Sequence, residues 1–430
     1  MTADANVDPP FEPFEPSWRA DPISAFARLR EGSPVYRSPS GHWVLSRYAD
    51  VRGALTDPDT YSSGCIDAEA LGIPRASIEG DDPKIGALLE ATFHGLAVTP
   101  AELAGVRTVI GSDAAEHVRQ RKLIDRAFSP GRVRALRPAM DAITAACAEK
   151  AATADSFDVM DDLAYVLPRR VIGELLGVEE EHQPDLTRWT HEMMGSTSGA
   201  ERNTDATHDR LMSVLREFAS FFVPRINARR AAPTDDFISD LVRAESDERL
   251  TSLETLLLIR LLMIAGTDTT GALIGNTILE LVRDRERLAA LQADQDQVPQ
   301  LIEESLRFWA PFYFVLRETT RAVTIDATTI PAGSLVALML GAANHDEAEF
   351  KCPAQFDPGR ASRHVTFGHG VHFCVGSHLA RAEALSAINA ILPHLHRFEL
   401  KNDQPLELAE SQFFQGYRSI PLVAAQLVAH

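Results

Sequence analysis

The feature that most constrains this chain is a glycine-rich segment with a single cysteine, HVTFGHGVHFCVGSHLARAE, over residues 364–383. Its spacing, F-x-x-G-x-x-x-C-x-G, is carried by Phe367, Gly370, Cys374 and Gly376. This set of residue types at these distances is rare for a chain of this composition. The segment therefore predicts a site built around the cysteine.

Backbone geometry and charge both explain the spacing. Gly368 and Gly370 allow a tight turn without a side-chain penalty, and Gly376 allows close backbone packing after the cysteine. A helix predicted over residues 377–392 would point its free N–H groups at the sulfur, which favours a thiolate over a thiol. We therefore expect Cys374 to be held permanently ionised. The alternative is a buried structural cysteine at a helix start.

Charge and cysteine usage exclude several classes of protein. The 430 residues carry 42 Lys and Arg against 61 Asp and Glu, a net charge of −19, which argues against nucleic acid or an anionic membrane as partner. The four cysteines are far apart without a CxxC pair, which indicates no disulfide framework and a reducing compartment. The N-terminus is acidic and proline-rich, and the apolar run 256–265 contains Arg260. We predict a cytoplasmic protein without a membrane span.

The hydrophobic pattern predicts a mainly α protein with a smaller β-rich region, an α+β fold. Residues 1–20 are predicted to be a loose leader and residues 21–430 a single domain. Long helical patterns fill residues 112–310, whereas residues 34–48 resemble a β-hairpin and residues 322–340 are rich in Thr, Val and Ile.

The segment LLMIAGTDTTGAL, residues 261–273, lies inside a predicted helix that starts at a capping box, Thr251-x-x-Glu254. That helix is expected to continue to about residue 287 and to reach roughly 50 Å. Its middle, residues 266–271, is a cluster of poor helix formers, and threonine hydroxyls there predict a bend at a functional site. The alternative is a helix whose glycines permit a close helix crossing.

The cysteine segment resembles the haem-binding loop of cytochrome P-450. The resemblance implies haem b as cofactor, with Cys374 as the axial ligand of the iron and its thiolate donating electron density. It also implies that Phe367 and Gly376 contact the haem and that His372 and His369 bind its propionates.

The helix segment resembles the A/G-G-x-D/E-T-T/S pattern of the same family. The resemblance implies that Thr269 hydrogen-bonds bound dioxygen and that Asp268 starts a proton relay from solvent. It places Ala265 against both haem and substrate. The implied fold buries the haem between this long helix and the helix that follows the cysteine loop.

Two further pairs resemble haem-binding residues of the family. His117 and Arg121, in HVRQRKLIDRAF, match an H-x-x-x-R pair that contacts propionates, and Arg317 matches another propionate-binding arginine. A solvated basic helix face is the alternative for the first pair.

Glu304 and Arg307 stand at i, i+3 in LIEESLRFWAP, and most such pairs are surface pairs of little energetic value. Here they resemble the structural Glu-Arg motif of the family, which Arg360 would complete. The three are predicted to support the haem loop. His345 departs from the family pattern, where arginine is usual.

The resemblance implies a bacterial haem monooxygenase that inserts one atom of dioxygen into a small apolar organic substrate. Since no flavin, nicotinamide or phosphate-loop motif is found, electrons are expected from an iron–sulfur ferredoxin with an NAD(P)H-dependent reductase. Four basic residues are predicted to attract it: Arg119, Arg121, Lys122 and Arg126.

A substrate pocket is predicted from Ala265, from the irregular residues 61–112, and from four aromatic side chains that could equally be core. These are Phe312, Phe314, Phe413 and Phe414. Three rival functions remain open on the sequence: a peroxygenase or isomerase of the same fold, a non-enzymatic haem sensor, and a helical scaffold without cofactor.

Overall fold

The computed structural model describes residues 7, 10–66, 106–195, 205–246, 250–360, 363–401, 405–409, 411 and 413–425. The greater part of the predicted irregular segment, residues 67–105, lies outside them. Within these ranges helices dominate and strands form a smaller part, as the sequence predicted.

The helices differ greatly in length, and the longest, α9, runs through the protein core. In chain order they are α1 (Pro22–Gly32), α2 (Tyr48–Thr56), α3 (Ala114–Ala127), α4 (Pro130–Thr153), α5 (Val166–Leu175), α6 (Gln183–Gly195), α7 (Asp205–Ala231), α8 (Phe237–Ser246), α9 (Ser252–Arg283), α10 (Arg285–Ala293), α11 (Val298–Phe308), α12 (Leu340–Ala343) and α13 (Ser377–Ile391).

The strands come from both ends of the chain. They are β1 (Val35–Arg37), β2 (Trp43–Leu45), β3 (Tyr61–Ser62), β4 (Ser156–Asp158), β5 (Val315–Thr319), β6 (Val323–Ile325), β7 (Thr328–Ile330), β8 (Leu335–Leu338), β9 (Phe398–Leu400) and β10 (Pro421–Ala424). They form a five-stranded sheet of order β1-β2-β8-β5-β3, a three-stranded sheet β4-β10-β9 and the pair β6-β7. The predicted hairpin is present, with Val35 opposite Leu45. Strand β2 also pairs in parallel with β8, which joins the two predicted β-rich regions into one sheet.

Helix α9 begins where the sequence predicted but ends earlier. The Thr251 hydroxyl accepts a hydrogen bond from the Glu254 N–H at 3.1 Å, and the Glu254 carboxylate accepts one from the Thr251 N–H at 2.6 Å. At the other end Asp284 closes α9, and its side chain accepts a hydrogen bond from the N–H of Arg287, which caps α10. The expected continuation to residue 287 is therefore wrong, because a capping aspartate starts a new helix. The 32 residues span about 48 Å.

The glycines of α9 lie where other helices approach closely. A Cβ added to Gly266 would lie 2.6 Å from Cδ1 of Ile172 on α5, and one added to Gly271 would lie 2.8 Å from Cδ1 of Tyr165. Real Cβ atoms do not approach so closely. These glycines thus permit the close helix crossing that the sequence left as an alternative.

Helix α9 is also long and apolar enough to cross a membrane by length and composition alone, which the run 256–265 did not suggest. Most of its most apolar window is buried inside the protein, against α5, α6, α11 and α13. Its apolar character is therefore accounted for by its place in the core.

The N-terminal segment is packed rather than loose in the residues that the structure describes. Phe11 and Trp18 are buried, and the Arg19 guanidinium donates hydrogen bonds to the carbonyls of Ala409 at 2.9 Å and Phe414 at 3.2 Å. The expected loose leader is therefore not found over residues 10–20, because apolar side chains and one arginine tie this stretch to the C-terminal part of the chain.

Candidate active site

The cysteine loop has the tight geometry that its glycines predicted. Gly368 and Gly370 both have φ of +70°, a conformation that favours glycine. A Cβ added to Gly370 would also lie 2.7 Å from the carbonyl oxygen of Leu55. The Cys374 N–H donates to the carbonyl of Phe367 at 2.9 Å, which closes the turn beneath the sulfur.

The electrostatics of Cys374 differ from the expectation of a permanent thiolate. Burial raises the pKa of its thiol, and the N–H groups of Gly376 and Ser377 and the charges of Arg121 and Arg381 only partly oppose this. The protein by itself therefore favours the thiol. A thiolate at this position needs a bound cation at the sulfur, and a coordinated metal ion deprotonates a thiol outright.

Gly376 is not required by crowding within the chain. Among the described residues, and apart from its chain neighbours, the nearest atom to a Cβ built at this position is the Cys374 sulfur at 3.9 Å, an ordinary van der Waals distance. The expected close backbone packing after the cysteine is therefore not seen among the described residues.

Three buried basic side chains converge near the loop, and we call them the basic cluster: His117, Arg317 and His372. The imidazole rings of His117 and His372 are 4.3 Å apart. His117 is 3% exposed, and its buried Nε2 has no hydrogen-bond partner in the described part of the chain. Burial lowers the pKa of both histidines, and the positive charges of Arg121 and Arg317 act in the same direction on His117 and His372 respectively.

Arg317 is equally short of negative partners. It is 5% exposed and donates a hydrogen bond to the neighbouring carbonyl of Leu316 at 2.7 Å, and no ion pair joins it to a carboxylate among the described residues. His372 Nε2 lies 3.1 Å from the Ser63 hydroxyl and 3.7 Å from Asp113. The buried Arg317 cation, without a paired carboxylate among the described residues, and the unpartnered nitrogen of His117 fit the two carboxylates that a haem would bring.

The other predicted propionate contacts lie differently. The Arg121 guanidinium donates to the carbonyl of Phe373, next to the cysteine, and to Asp125, both at 2.7 Å. It therefore steadies the cysteine loop from α3. His369 is half-buried, and no side-chain hydrogen bond or ion pair connects it to the basic cluster within the described ranges.

One face of α9 is open although most of the helix is buried. Ala265 is exposed, and one turn later the half-buried Thr269 donates its hydroxyl hydrogen to the Ala265 carbonyl at 2.7 Å. The Asp268 side chain is 13% exposed, and its Oδ1 has no hydrogen-bond partner in the described structure. Helix α9 also packs against α13, the helix that follows Cys374.

Comparisons with known proteins agree with this arrangement. The family model for cytochrome P-450 matches residues 107–419. The erythromycin C-12 hydroxylase of Saccharopolyspora erythraea is 33% identical over 407 residues, covering 92% of both chains, and the cyclomarin C epoxidase of Salinispora arenicola is 34% identical over 395 residues, covering 91% of this chain and 93% of the relative.

This chain belongs to the cytochrome P-450 family. Its fold also matches the solved structure of a mutant of cytochrome P-450 EryK in complex with erythromycin B, with a TM-score of 0.79, 30% identity and coverage of 96% and 98% of the two chains. A second structure, of cytochrome P-450 CREJ in complex with (4-ethylphenyl) dihydrogen phosphate, matches with a TM-score of 0.84 and 26% identity over 96% and 99%. The protein is accordingly a haem monooxygenase that binds haem b.

In this cytochrome P-450 the structure brings Glu304, Arg307 and Arg360 together. The fully buried Arg307 forms a bidentate pair with Glu304, with N–O distances of 2.7 and 2.8 Å. Arg360 Nε lies 3.5 Å from the same carboxylate. Arg307 also donates to the carbonyls of Asn344 and Pro353, both at 2.9 Å. The cluster holds the segment before the cysteine loop, which is the supporting role that the resemblance implied.

The four aromatic residues predicted for the pocket do meet, but two of them lie in the core. Phe314 is 1% exposed and Phe414 is 4% exposed, so neither presents a surface to a cavity. Phe312 stacks edge-on against Phe414 with ring centroids 4.4 Å apart, and the half-buried Phe413 lies 5.4 Å from Phe314. Phe312 and Phe413 therefore remain the pocket candidates of this group.

Sequence reasoning missed two partners of this site. Arg381 forms a bidentate pair with Glu303 and lies over the ring of Phe367 at 4.5 Å. Burial alone would raise the pKa of Glu303, but Arg381 and His364 have the larger effect and lower this pKa to about 2. His191 on α6 lies 3.4 Å from Asp268. The position of Arg381 in the helix after the cysteine could have indicated the first, whereas no local pattern marks His191.

Proposed function

We propose that the Cys374 sulfur would bind the haem iron and that the basic cluster would bind the two haem carboxylates. When bound, haem supplies the activation of dioxygen. The observation that carries this assignment is the basic cluster, whose buried His117 nitrogen lacks a hydrogen-bond partner and whose Arg317 lacks a carboxylate partner among the described residues. Arg121 and the turn at Phe367 hold the sulfur in place.

The residues of α9 would then hold and move protons. The Thr269 hydroxyl, which donates to the Ala265 carbonyl, holds a proton on the exposed face of α9 and would donate it on that face. The Asp268 carboxylate would resupply the proton, since its Oδ1 accepts no hydrogen bond here. Ala265 has no side chain beyond Cβ, so it leaves space on the same helix face for an apolar substrate.

The test of the ligand is the visible spectrum of the reduced, carbon monoxide-bound protein. The wild type should show the strongly red-shifted Soret band of a thiolate ligand, and Cys374→Ser should lose it. Cys147→Ser serves as the matched control, because Cys147 is buried in the apolar core. A Cys374→Ser protein with an unchanged spectrum would refute the assignment.

We further propose an apolar organic substrate, hydroxylated or epoxidised in the cytoplasm. The proposal is supported by relatives named for oxidation of erythromycin and cyclomarin C, and by a further relative named 6-deoxyerythronolide B hydroxylase. A panel of erythromycin B, cyclomarin C and 6-deoxyerythronolide B should include a compound that displaces the water ligand of the oxidised holoenzyme. Absence of any spectral change with all three would reject this substrate class.

We propose an acidic ferredoxin as electron donor, docked beside Cys374. Val371 and Phe373, in the cysteine loop, are 49% and 38% exposed, and Lys122 and Arg126 are exposed on α3, which Arg121 joins to the same loop. An apolar centre with cations beside it suits a partner of negative charge. Of the predicted basic patch, Arg119 is excluded from this role, because it pairs with Glu254 in the capping box of α9.

The electron partner is tested by the double variant Lys122→Glu/Arg126→Glu. Reduction of the holoenzyme by ferredoxin at low salt should slow by about tenfold and lose much of its salt dependence. The control, Arg210→Glu/Arg216→Glu on the exposed face of α7, carries the same charge change. Equal slowing in both double variants would mean that net charge alone is responsible and would refute the docking site.

A further inference from the structure

The carboxylate proposed to deliver protons has one cationic neighbour among the described residues. His191 Nε2 lies 3.4 Å from Oδ1 of Asp268, an ion-pair distance, and no hydrogen bond joins the two atoms. The two residues come from different helices, α6 and α9, which pack against each other. The pair is therefore a tertiary contact and does not result from i, i+3 or i, i+4 spacing within one helix.

His191 also connects the interior to water. Its side chain is 46% exposed, whereas that of Asp268 is 13% exposed. The imidazole packs against the Tyr165 ring in a T-shaped arrangement, with ring centroids 5.3 Å apart. Tyr165 is itself fixed, because its hydroxyl donates to the carbonyl of Tyr417 at 3.2 Å. The ring is thus held with one nitrogen near the buried carboxylate while part of it remains accessible.

The charged groups around His191 favour its protonated form. Asp268 raises the pKa of His191 above its ordinary value, and Asp161, which lies just before Tyr165 in the chain, adds to this, whereas burial and the Arg169 cation on α5 act in the opposite direction. Two carboxylates therefore face the imidazole against one guanidinium. Their net effect increases the share of charged imidazole beside Asp268 at any given pH.

We propose that His191 is a positioning and proton-relay residue that recharges Asp268 from solvent. The inference rests on the proposed proton path through Asp268 and Thr269, and adds a third member to it at the surface. It follows from the 3.4 Å contact, from the unpartnered buried oxygen of Asp268 and from the exposure of the imidazole.

The step is a balanced proton transfer. After Asp268 has passed its proton to Thr269, the imidazolium Nε2–H of His191 donates its proton to Oδ1 of Asp268. The Nε2–H bond breaks and the Oδ1–H bond forms, which leaves a neutral imidazole and a neutral acid. A hydronium ion or buffer acid from solvent then returns a proton to Nε2, which restores the imidazolium. The relay requires the charged histidine, so it should slow as the pH rises through the raised pKa of His191.

The pairing is tested without turnover by NMR titration of the imidazole signals in the reduced, carbon monoxide-bound holoenzyme, which is diamagnetic. The His191 signal, assigned by its loss in His191→Gln, should titrate above 6.5 in the wild type and fall toward that value in Asp268→Asn. A His191 signal that titrates at or below 6.5 in the wild type, or that does not respond to Asp268→Asn, would overturn the proposal.

The relay is tested by the fraction of consumed oxygen that appears in product, using the panel compound that gives the largest spectral change. His191→Gln should reduce this fraction about tenfold at neutral pH, less than the loss of a direct general acid, and should increase the solvent deuterium isotope effect. His191→Lys, which retains a cation, should restore the fraction and remove its decline at alkaline pH. His182→Gln removes another exposed histidine beside a glutamate and is the matched control.

The outcomes separate the two proposals. If Asp268→Asn keeps the wild-type product fraction, the proton path of the proposed function fails and this inference fails with it. If Asp268→Asn loses product whereas His191→Gln does not, only the role of His191 is refuted.

Discussion

Arg307 shows what a buried charge requires at the level of a single residue. Its side chain has no exposed surface, and its nitrogens are matched by the Glu304 carboxylate and by backbone carbonyls. Removing one partner of such a pair leaves a charge without compensation in a medium that solvates it poorly.

We therefore expect Arg307→Lys to lower the free energy of unfolding by about 3–5 kcal/mol, because lysine cannot form the bidentate pair. Urea unfolding of the holoenzyme measures the change. Arg137→Lys is the control, since the Arg137 Nε–H is shared between both carboxylate oxygens of Asp141 at the surface, and losing this exposed pair should cost less than about 1 kcal/mol. Equal losses in the two variants would contradict the role of burial.

A second residue-scale prediction concerns the buried His345. Burial lowers the pKa of His345 to about 4, from 6.5, although its Nδ1 bonds the Gly341 carbonyl. As the pH falls, the unfolded chain binds a proton at this imidazole near pH 6.5, whereas the folded protein binds it only near pH 4. Protonation of His345 therefore leaves the unfolding free energy unchanged above pH 6.5 and lowers it as the pH falls toward 4.

Between pH 7 and pH 5 this one group should cost the wild type about 2 kcal/mol of unfolding free energy. His345→Gln, which does not titrate, should lose that much less over the same interval, as measured by urea unfolding at the two pH values. His182→Gln at the surface should behave as the wild type does. The same acid sensitivity in His345→Gln would assign the effect to other groups.

The sequence predicted residues whose partners are near in the chain and missed those whose partners are distant. Glu304 and Arg307 stand three apart, so their pairing could be read, although the exposed pair of Arg137 and Asp141 shows that spacing does not reveal burial. His191 and Arg19 were missed because their partners lie on segments far along the chain.

At the scale of elements, the crossing of α9 with its neighbours depends on residues without side chains. Gly271 lies against Tyr165 and against the backbone carbonyl of Ala164, 3.2 Å from where a Cβ would be. Backbone yields less easily than a flexible side chain, so the helices would have to separate.

Gly271→Ala should therefore destabilise the protein by about 1–3 kcal/mol, as overpacking does in other cores. Gly53→Ala on α2 is the matched control, since no atom lies within 4 Å of the added Cβ, and it should be neutral or stabilise by up to about 1 kcal/mol. Thermal and urea unfolding of both variants measure the effect. Unchanged stability of Gly271→Ala would show that the helix crossing can accommodate the added methyl group.

The start of α9 was predictable because its capping box is local, whereas its end was not. Asp284 follows Arg283 within a sequence that is still a good helix former, and only the capping contact to Arg287 shows the break. Strand partners were equally hidden. The parallel pairing of Val44 with Ala337 joins segments almost 300 residues apart, and no periodicity encodes that choice.

At the scale of the whole molecule, the two ends of the chain are joined through one arginine. Arg19 is 7% exposed and bonds carbonyls in the loop that also carries Phe414. The fold class could be predicted from the long helical patterns and the two β-rich regions, but this closure could not, because an acidic, proline-rich start has no periodicity to interpret.

We expect Arg19→Met to lower the unfolding free energy by about 1.5–3 kcal/mol, because the buried carbonyl of Phe414 and the half-buried carbonyl of Ala409 lose a charged donor. The loop around Phe414 should become more sensitive to limited proteolysis. Arg28→Met, an exposed arginine on α1, is the control and should leave both measurements unchanged. Unchanged stability in Arg19→Met would mean that the terminus is held by apolar packing alone.

The neighbours Ala265 and Gly266 face opposite surroundings, since the first is exposed and the second packs on Ile172. In a saturation library at the first position, variants with small side chains should fold and alter the product profile, whereas large side chains should fill the space proposed for haem and substrate. A library at the second should yield almost only its parent. Directed evolution of this catalyst should therefore vary Ala265 among small residues and leave Gly266 unchanged, because the limit at Ala265 is the space for ligands and the limit at Gly266 is the packing of two helices.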